Sequence, residues 1–197
     1  LEERDITDNV VDMLSAKLKK LPDATREVLQ LAACLGNSAS INLLMSVCQK
    51  SQNDIETTLA SAAVTGVVCI RNGKYKFLHD RLQQAAYELI ETENRASVHL
   101  KIGRQLAADE AMLSNHLFDT VSQYNLGSRL VVDKMEKLKL AELNLMAGRN
   151  AKESTAFSTA LQFFSLGLSL IAADHHQAES GLIFDLSFGK AECLLLT

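Results

Sequence analysis

Apolar positions recur at helical spacing from the first residues to Gly66. Thr7 is placed to N-cap a helix running to about Lys20, with Val10, Val11, Leu14 and Leu18 on one face. Pro22 opens a second helix, in which Val28, Leu29, Leu31, Ala32 and Leu35 make a broad buried stripe and Gly36 supplies the C′ stop. A third helix starts at Ser40 and carries Ile41, Leu43, Leu44 and Val47. A fourth starts at Ser51 or Asn53, carries Ile55, Leu59, Ala62 and Ala63, and ends at Gly66.

The period then changes. Val67-Val68-Cys69-Ile70 and Lys74-Tyr75-Lys76-Phe77-Leu78 are short strand-like runs joined by Asn72-Gly73, a strong local hairpin signal. Three helices followed by a hairpin is the order of a winged helix, expected over about residues 21–78, in a domain that reaches residue 91 with the helix that follows. From His79 the pattern is helical to the end, with helices near 80–91, 93–110, 114–126, 133–152, 156–173 and 177–196. A linker is expected around Ser128 to Asp133. Gly148, Ala160 and Phe164 fall at the small, small and aromatic positions of a tetratricopeptide-like helix pair. Gly148-Arg149-Asn150-Ala151 is echoed by Gly189-Lys190-Ala191. The fold expected is mostly α: residues 1–20 as a linker helix ending a preceding module, a winged-helix domain at 21–91, and antiparallel helical hairpins of tetratricopeptide-like type at 92–197.

Composition agrees with stacked helices. Aromatics are 5% of the chain, Trp is absent and there is one Pro, which suits helices better than a β-sandwich. The net charge of −4 argues against a nucleic-acid coat or a membrane-surface binder, which need a basic face. Cys34, Cys48, Cys69 and Cys193 form no C-x-x-C pair and read as reduced core thiols of a cytoplasmic protein. The longest apolar stretch, around Leu161 to Ala173, is broken by Gln162, Ser165 and Ser169 and is too short to span a bilayer. The first residue is not Met and the last run, Leu194-Leu195-Leu196, is apolar, so both ends read as cuts in a longer polypeptide.

Catalytic constellations are missing. The pairs Gly73-Lys74 and Gly189-Lys190 lack the upstream Gly and following Ser or Thr of a P-loop, whose backbone amides wrap phosphates. His175-His176 read as solvated turn residues, and His99 and His116 as structural residues of amphipathic helices. Met146, Phe157, Phe163 and Phe164 read as core. A DNA-reading helix would be about Gln52 to Thr65, but it holds Asp54 and Glu56 and neither Lys nor Arg. The hairpin carries a modest basic cluster, Arg71, Lys74 and Lys76, read as a solvated surface.

The run Phe77-Leu78-His79-Asp80-Arg81-Leu82-Gln83-Gln84-Ala85-Ala86-Tyr87 resembles the segment after the ATPase domain in large multidomain signalling proteins with a STAND-type AAA module. Those modules lie next to Ser/Thr kinase-like, sensor histidine kinase, guanylate cyclase or transcription-regulator domains. Ile6 to Val11, Leu21 to Leu29 and Leu31 to Gly36 look like the same family. The resemblance implies a winged helix that folds over an ATPase core. It also implies a His in an (M/L)-H-D motif approaching the β-phosphate of ADP, matched here by Leu78-His79-Asp80. An imidazole N–H can hold a phosphate, and the contact is lost when the domain swings away. Asp80 would cap the next helix.

The implied fragment is non-catalytic and has no cofactor of its own, with ATP or ADP bound by the parent. Its implied partners are the preceding ATPase domain and a protein effector or subunit on the helical arm, with neither nucleic acid nor membrane. Two rivals stand beside this reading: a protein-interaction scaffold in which His79 touches no nucleotide, and a DNA-binding regulator module.

Overall fold

A computed structural model describes residues 13–171 and 180–196. It is mostly helical, with one small three-stranded antiparallel sheet. The chain divides into two compact units between Arg95 and Ala96.

In the first unit, helix α1 covers 13–19 of the described residues. Thr7, expected to cap it, lies outside them. Helix α2 (Asp23–Leu35) buries Val28, Leu29, Ala32 and Ala33. It ends at Gly36, whose φ of 109° is open to glycine and strained for other residues. Helix α3 (Ile41–Cys48) is capped by Ser40, whose hydroxyl accepts from the Leu43 amide at 3.1 Å. Helix α4 (Gln52–Val64) is capped by Ser51, which settles its start. The hairpin joins β2 (Val68–Arg71) to β3 (Lys74–Phe77). Asn72 and Gly73 both have positive φ, 51° and 69°, as the twist-matched two-residue turn requires. Helix α5 (Asp80–Glu88) follows.

One strand was not expected. Between α2 and α3, Ser38–Ser40 forms β1 and pairs antiparallel with β3, so β3 is central in the order β1-β3-β2. Ser-Ala-Ser carries no strand propensity or alternation; its extended state comes from the ladder with partners 34 to 38 residues away in sequence. Tyr75 and Phe77 point inward from β3 and are fully buried, and Leu18, Leu29, Leu44, Ile55, Leu59 and Leu82 share their core.

In the second unit, α6 (Thr92–Ala108), which contains the division, is followed by α7 (Glu110–Asn115) and α8 (Leu117–Gly127). One helix was expected over 114–126. Instead Asp109 caps α7 by accepting from the Ala111 and Met112 amides, and the backbone breaks at His116. After a 3-10 turn (Ser128–Leu130) come α9 (Lys134–Glu153), α10 (Phe157–Ile171) and α11 (Ser180–Leu196). Helices α9, α10 and α11 pack on one another around Phe164, Ala160, Leu186 and Cys193. Met146, expected in the core, is instead 48% exposed, whereas Phe163 and Phe164 are buried and Phe157 is half-buried. Among the described residues no helix is long and apolar enough to cross a membrane.

Candidate functional site

The segment carrying His79 is held from both sides. Before it, Phe77 is buried in the core and its amide donates to the Asn37 carbonyl at 2.9 Å. The Leu78 amide donates to the Val67 carbonyl at 3.1 Å, which extends the hairpin by one residue. After it, Leu82 is buried and the Gln83 side-chain amide donates to the Ala33 carbonyl at 2.8 Å. The Tyr75 hydroxyl donates to the neighbouring Ala32 carbonyl at 2.8 Å. The last turn of α2 therefore receives donors from both β3 and α5, and fixes the junction between them.

His79 itself sits at the N-cap position of α5 with extended backbone, φ −145° and ψ 145°. Its carbonyl accepts from the Leu82 amide at 2.9 Å, but its imidazole makes no cap hydrogen bond and is exposed. Asp80 was expected at the cap. It is instead the first residue inside the helix, where its carboxylate complements the helix dipole without capping. Leu78, 47% exposed, stands beside it on the outside of the sheet. The geometry presents an imidazole on a rigid corner, backed by a dense core and open to approach.

The other candidates separate. His99 is buried in the second unit with its Nδ1 2.7 Å from Gln123 Oε1, a structural pairing. His116 lies 3.4 Å from Asp119 at the helix break. His175 and His176 lie outside the described residues. None of the four cysteines is in a disulfide. Cys34 is buried, and Cys48 and Cys69 are half-buried. Burial pushes the Cys34 and Cys48 thiols up to about 12, so neither is a nucleophile near neutral pH. Among the described residues no group of three or more His, Cys, Asp or Glu side chains could hold a metal ion. The exposed positions of α4 include Gln52, Asn53, Asp54 and Glu56, and the helix has no cation to offer a phosphate backbone.

The sequence did not point to a polar cluster in the second unit. The Arg104 guanidinium forks onto Glu136, Nε to Oε1 at 2.6 Å and Nη2 to Oε2 at 2.8 Å, and the Tyr124 hydroxyl donates to the same Oε1 at 2.6 Å. The Arg104 hydrogen bond holds the Glu136 carboxyl below its ordinary value. Burial, and then the bond to Glu136, push Tyr124 up to about 12. These groups line a cavity of about 800 Å³ with Met135, Lys139 and Leu182. Residues 32 positions apart make this fork, and no local spacing signals it.

Comparison with known proteins adds one relative. A protein of Dictyostelium discoideum described as hybrid signal transduction histidine kinase G is 29% identical over 234 residues. The alignment takes in 91% of this chain and 7% of that protein, so the chain spans a small part of the relative it matches. No family model matches the chain, and no solved structure matches it.

Proposed function

We propose that this chain is a non-catalytic regulatory part of a larger signalling protein, in which the first unit senses the nucleotide state of a preceding STAND-type ATPase module through His79. The second unit is then the arm that carries the signal to a protein partner. The observation that carries the reading is the exposed, uncapped imidazole of His79 on a junction whose backbone is pinned to the core on both sides. A residue used only for local packing or capping would have its ring engaged; this one is presented outward.

Further observations support parts of the reading. The order helix, strand, helix, helix, strand, strand with β3 central supports a winged helix for the first unit. Gly148 and Gly189 on either side of the Phe164 ring support tetratricopeptide-like packing of α9, α10 and α11. The similarity to a protein described as a signal transduction histidine kinase supports a signalling parent. ATP or ADP belongs to the parent in this reading, and the chain works in the cytoplasm without nucleic acid or membrane.

The scaffold reading has one observation in its favour. Phe184 and Phe188 on α11 are 65% and 55% exposed and stacked with centroids 5.9 Å apart, an apolar surface suited to protein contact. The two readings part on His79. ADP dissociation should be measured on the parent protein, unaltered and with His79→Ala. Faster ADP loss with unchanged melting supports the sensor. Unchanged ADP kinetics leave the scaffold.

A further inference from the structure

The outer face of the small sheet carries three cations and no acid. Register places Arg71 directly across from Lys74, and Lys76 between Ser38 on β1 and Cys69 on β2. Side chains two apart along β3 share a face, so Lys74, Lys76 and the following Leu78 project together. All three cations are exposed, and none has an ion-pair partner among the described residues. Like charges opposite one another on a sheet destabilise it, yet Arg71 and Lys74 face each other next to the turn. The whole chain meanwhile carries a net charge of −4, so this face opposes the sign of the molecule. Between the cations lies a groove of about 440 Å³ that Ser38, Cys69 and Leu78, the last 47% exposed, also line.

We propose that this sheet face docks an extended acidic segment of a partner protein. Its carboxylates would lie along Arg71, Lys74 and Lys76, with one apolar side chain against Leu78. Charge complementarity selects the occupant, and the groove's small side chains let a backbone approach the sheet. A nucleic acid fits less well. Three cations release few counterions, and the face offers no exposed aromatic ring for a base to stack on. The site adjoins the contact proposed for His79 at Leu78, and it stands whether or not His79 meets a nucleotide.

The test uses the 197-residue chain and a fluorescein-labelled Glu-rich peptide with one central Leu. A Lys-rich peptide of equal length and a single-stranded DNA serve as competitors, and anisotropy is the readout. The Glu-rich peptide should bind, weaken as salt is raised, and lose at least about tenfold in affinity to the triple variant Arg71→Glu, Lys74→Glu, Lys76→Glu. It should also protect Cys69 from iodoacetamide as mapped by mass spectrometry. Because all three side chains are exposed, circular dichroism should show the triple variant folded; Lys74→Gln with Lys76→Gln gives a second, milder loss. No binding of the Glu-rich peptide, or equal binding by the triple variant, overturns the proposal. Tighter binding of the DNA through the same residues overturns it in favour of a nucleic-acid surface.

Discussion

The Phe164 ring occupies the space that a Cβ on Gly189 would need: an atom built there stands 2.6 Å from the ring Cζ. Gly148 on α9 meets the same ring from another side, also closer than a Cβ allows. Phe164 is 1% exposed, so the ring has nowhere to move. Replacing a helical Gly by Ala gains about 1 kcal/mol of helix propensity, but overpacking a rigid core costs about 1–3 kcal/mol. The cost should win, so Gly148→Ala and Gly189→Ala should each lower stability in urea unfolding. Adding Phe164→Leu should make the Ala substitution nearly neutral relative to Phe164→Leu alone. Additive losses would show that the ring is not the obstacle.

A second internal lock is the pair Asn125 and Asn144. Each side-chain amide donates to the other's oxygen, at 2.8 and 2.9 Å, and Asn144 also donates to the Leu140 carbonyl at 2.8 Å. Asn144 is fully buried. Asn144→Leu removes the partner of a half-buried amide and should cost about 1–3 kcal/mol. In the double variant with Asn125→Leu both polar groups are gone, so the second substitution should recover part of that loss. A double variant less stable than the sum of the singles would mean that the pair's shape, not its hydrogen bonds, holds α8 to α9.

Local signals were the readable part of this fold. Gly36, Gly66 and Asn72-Gly73 mark where the backbone takes positive φ, and α2 stops at Gly36 as expected. Strand β2, however, runs Val68–Arg71, one residue later than the expected Val67–Ile70, and β3 stops at Phe77, one residue short of Leu78. Gly148, Ala160 and Phe164 were singled out by their spacing, but only the packed helices show that a Cβ on Gly148 would meet the Phe164 ring. Strand β1 was not legible, because Ser38–Ser40 is made extended by β3 and not by its own residues. Gly103 passed as an ordinary helical residue, although a Cβ there would lie 2.6 Å from the Tyr124 Cα; only the packed helices reveal that approach. At the candidate site, the motif gave His79 but misassigned the cap to Asp80. The cationic face needed the register, which sets Arg71 against Lys74.

His79→Ala should leave stability within about 0.5 kcal/mol of the unaltered chain, as expected for an exposed side chain without a cap hydrogen bond. Thermal melting followed by circular dichroism checks this. A larger drop would mean that the ring supports the β3–α5 junction, and an effect of the variant on nucleotide release would then be indirect. By contrast, Tyr75→Phe deletes a buried hydroxyl and leaves the Ala32 carbonyl without that donor, and should cost about 1 kcal/mol or more.

The fork between Arg104 and Glu136 makes the second unit sensitive to acid. Glu136 is held below its ordinary value in the folded state, chiefly by the Arg104 hydrogen bond. A carboxyl depressed on folding contributes stability that is present above its unfolded value, about 4.3, and is lost as pH falls through the folded value. Tyr124 acts at the other limb. Its hydroxyl is raised to about 12, so the stability it adds is complete below its unfolded value and lost as pH rises toward 12. Melting temperature against pH should therefore fall on both sides. Glu136→Gln should be less stable at neutral pH, should flatten the acid limb and should bring the Tyr124 absorbance titration to lower pH, because the raising bond to the carboxylate is lost. An acid limb as steep in Glu136→Gln as in the unaltered chain would place the acid sensitivity in other carboxylates.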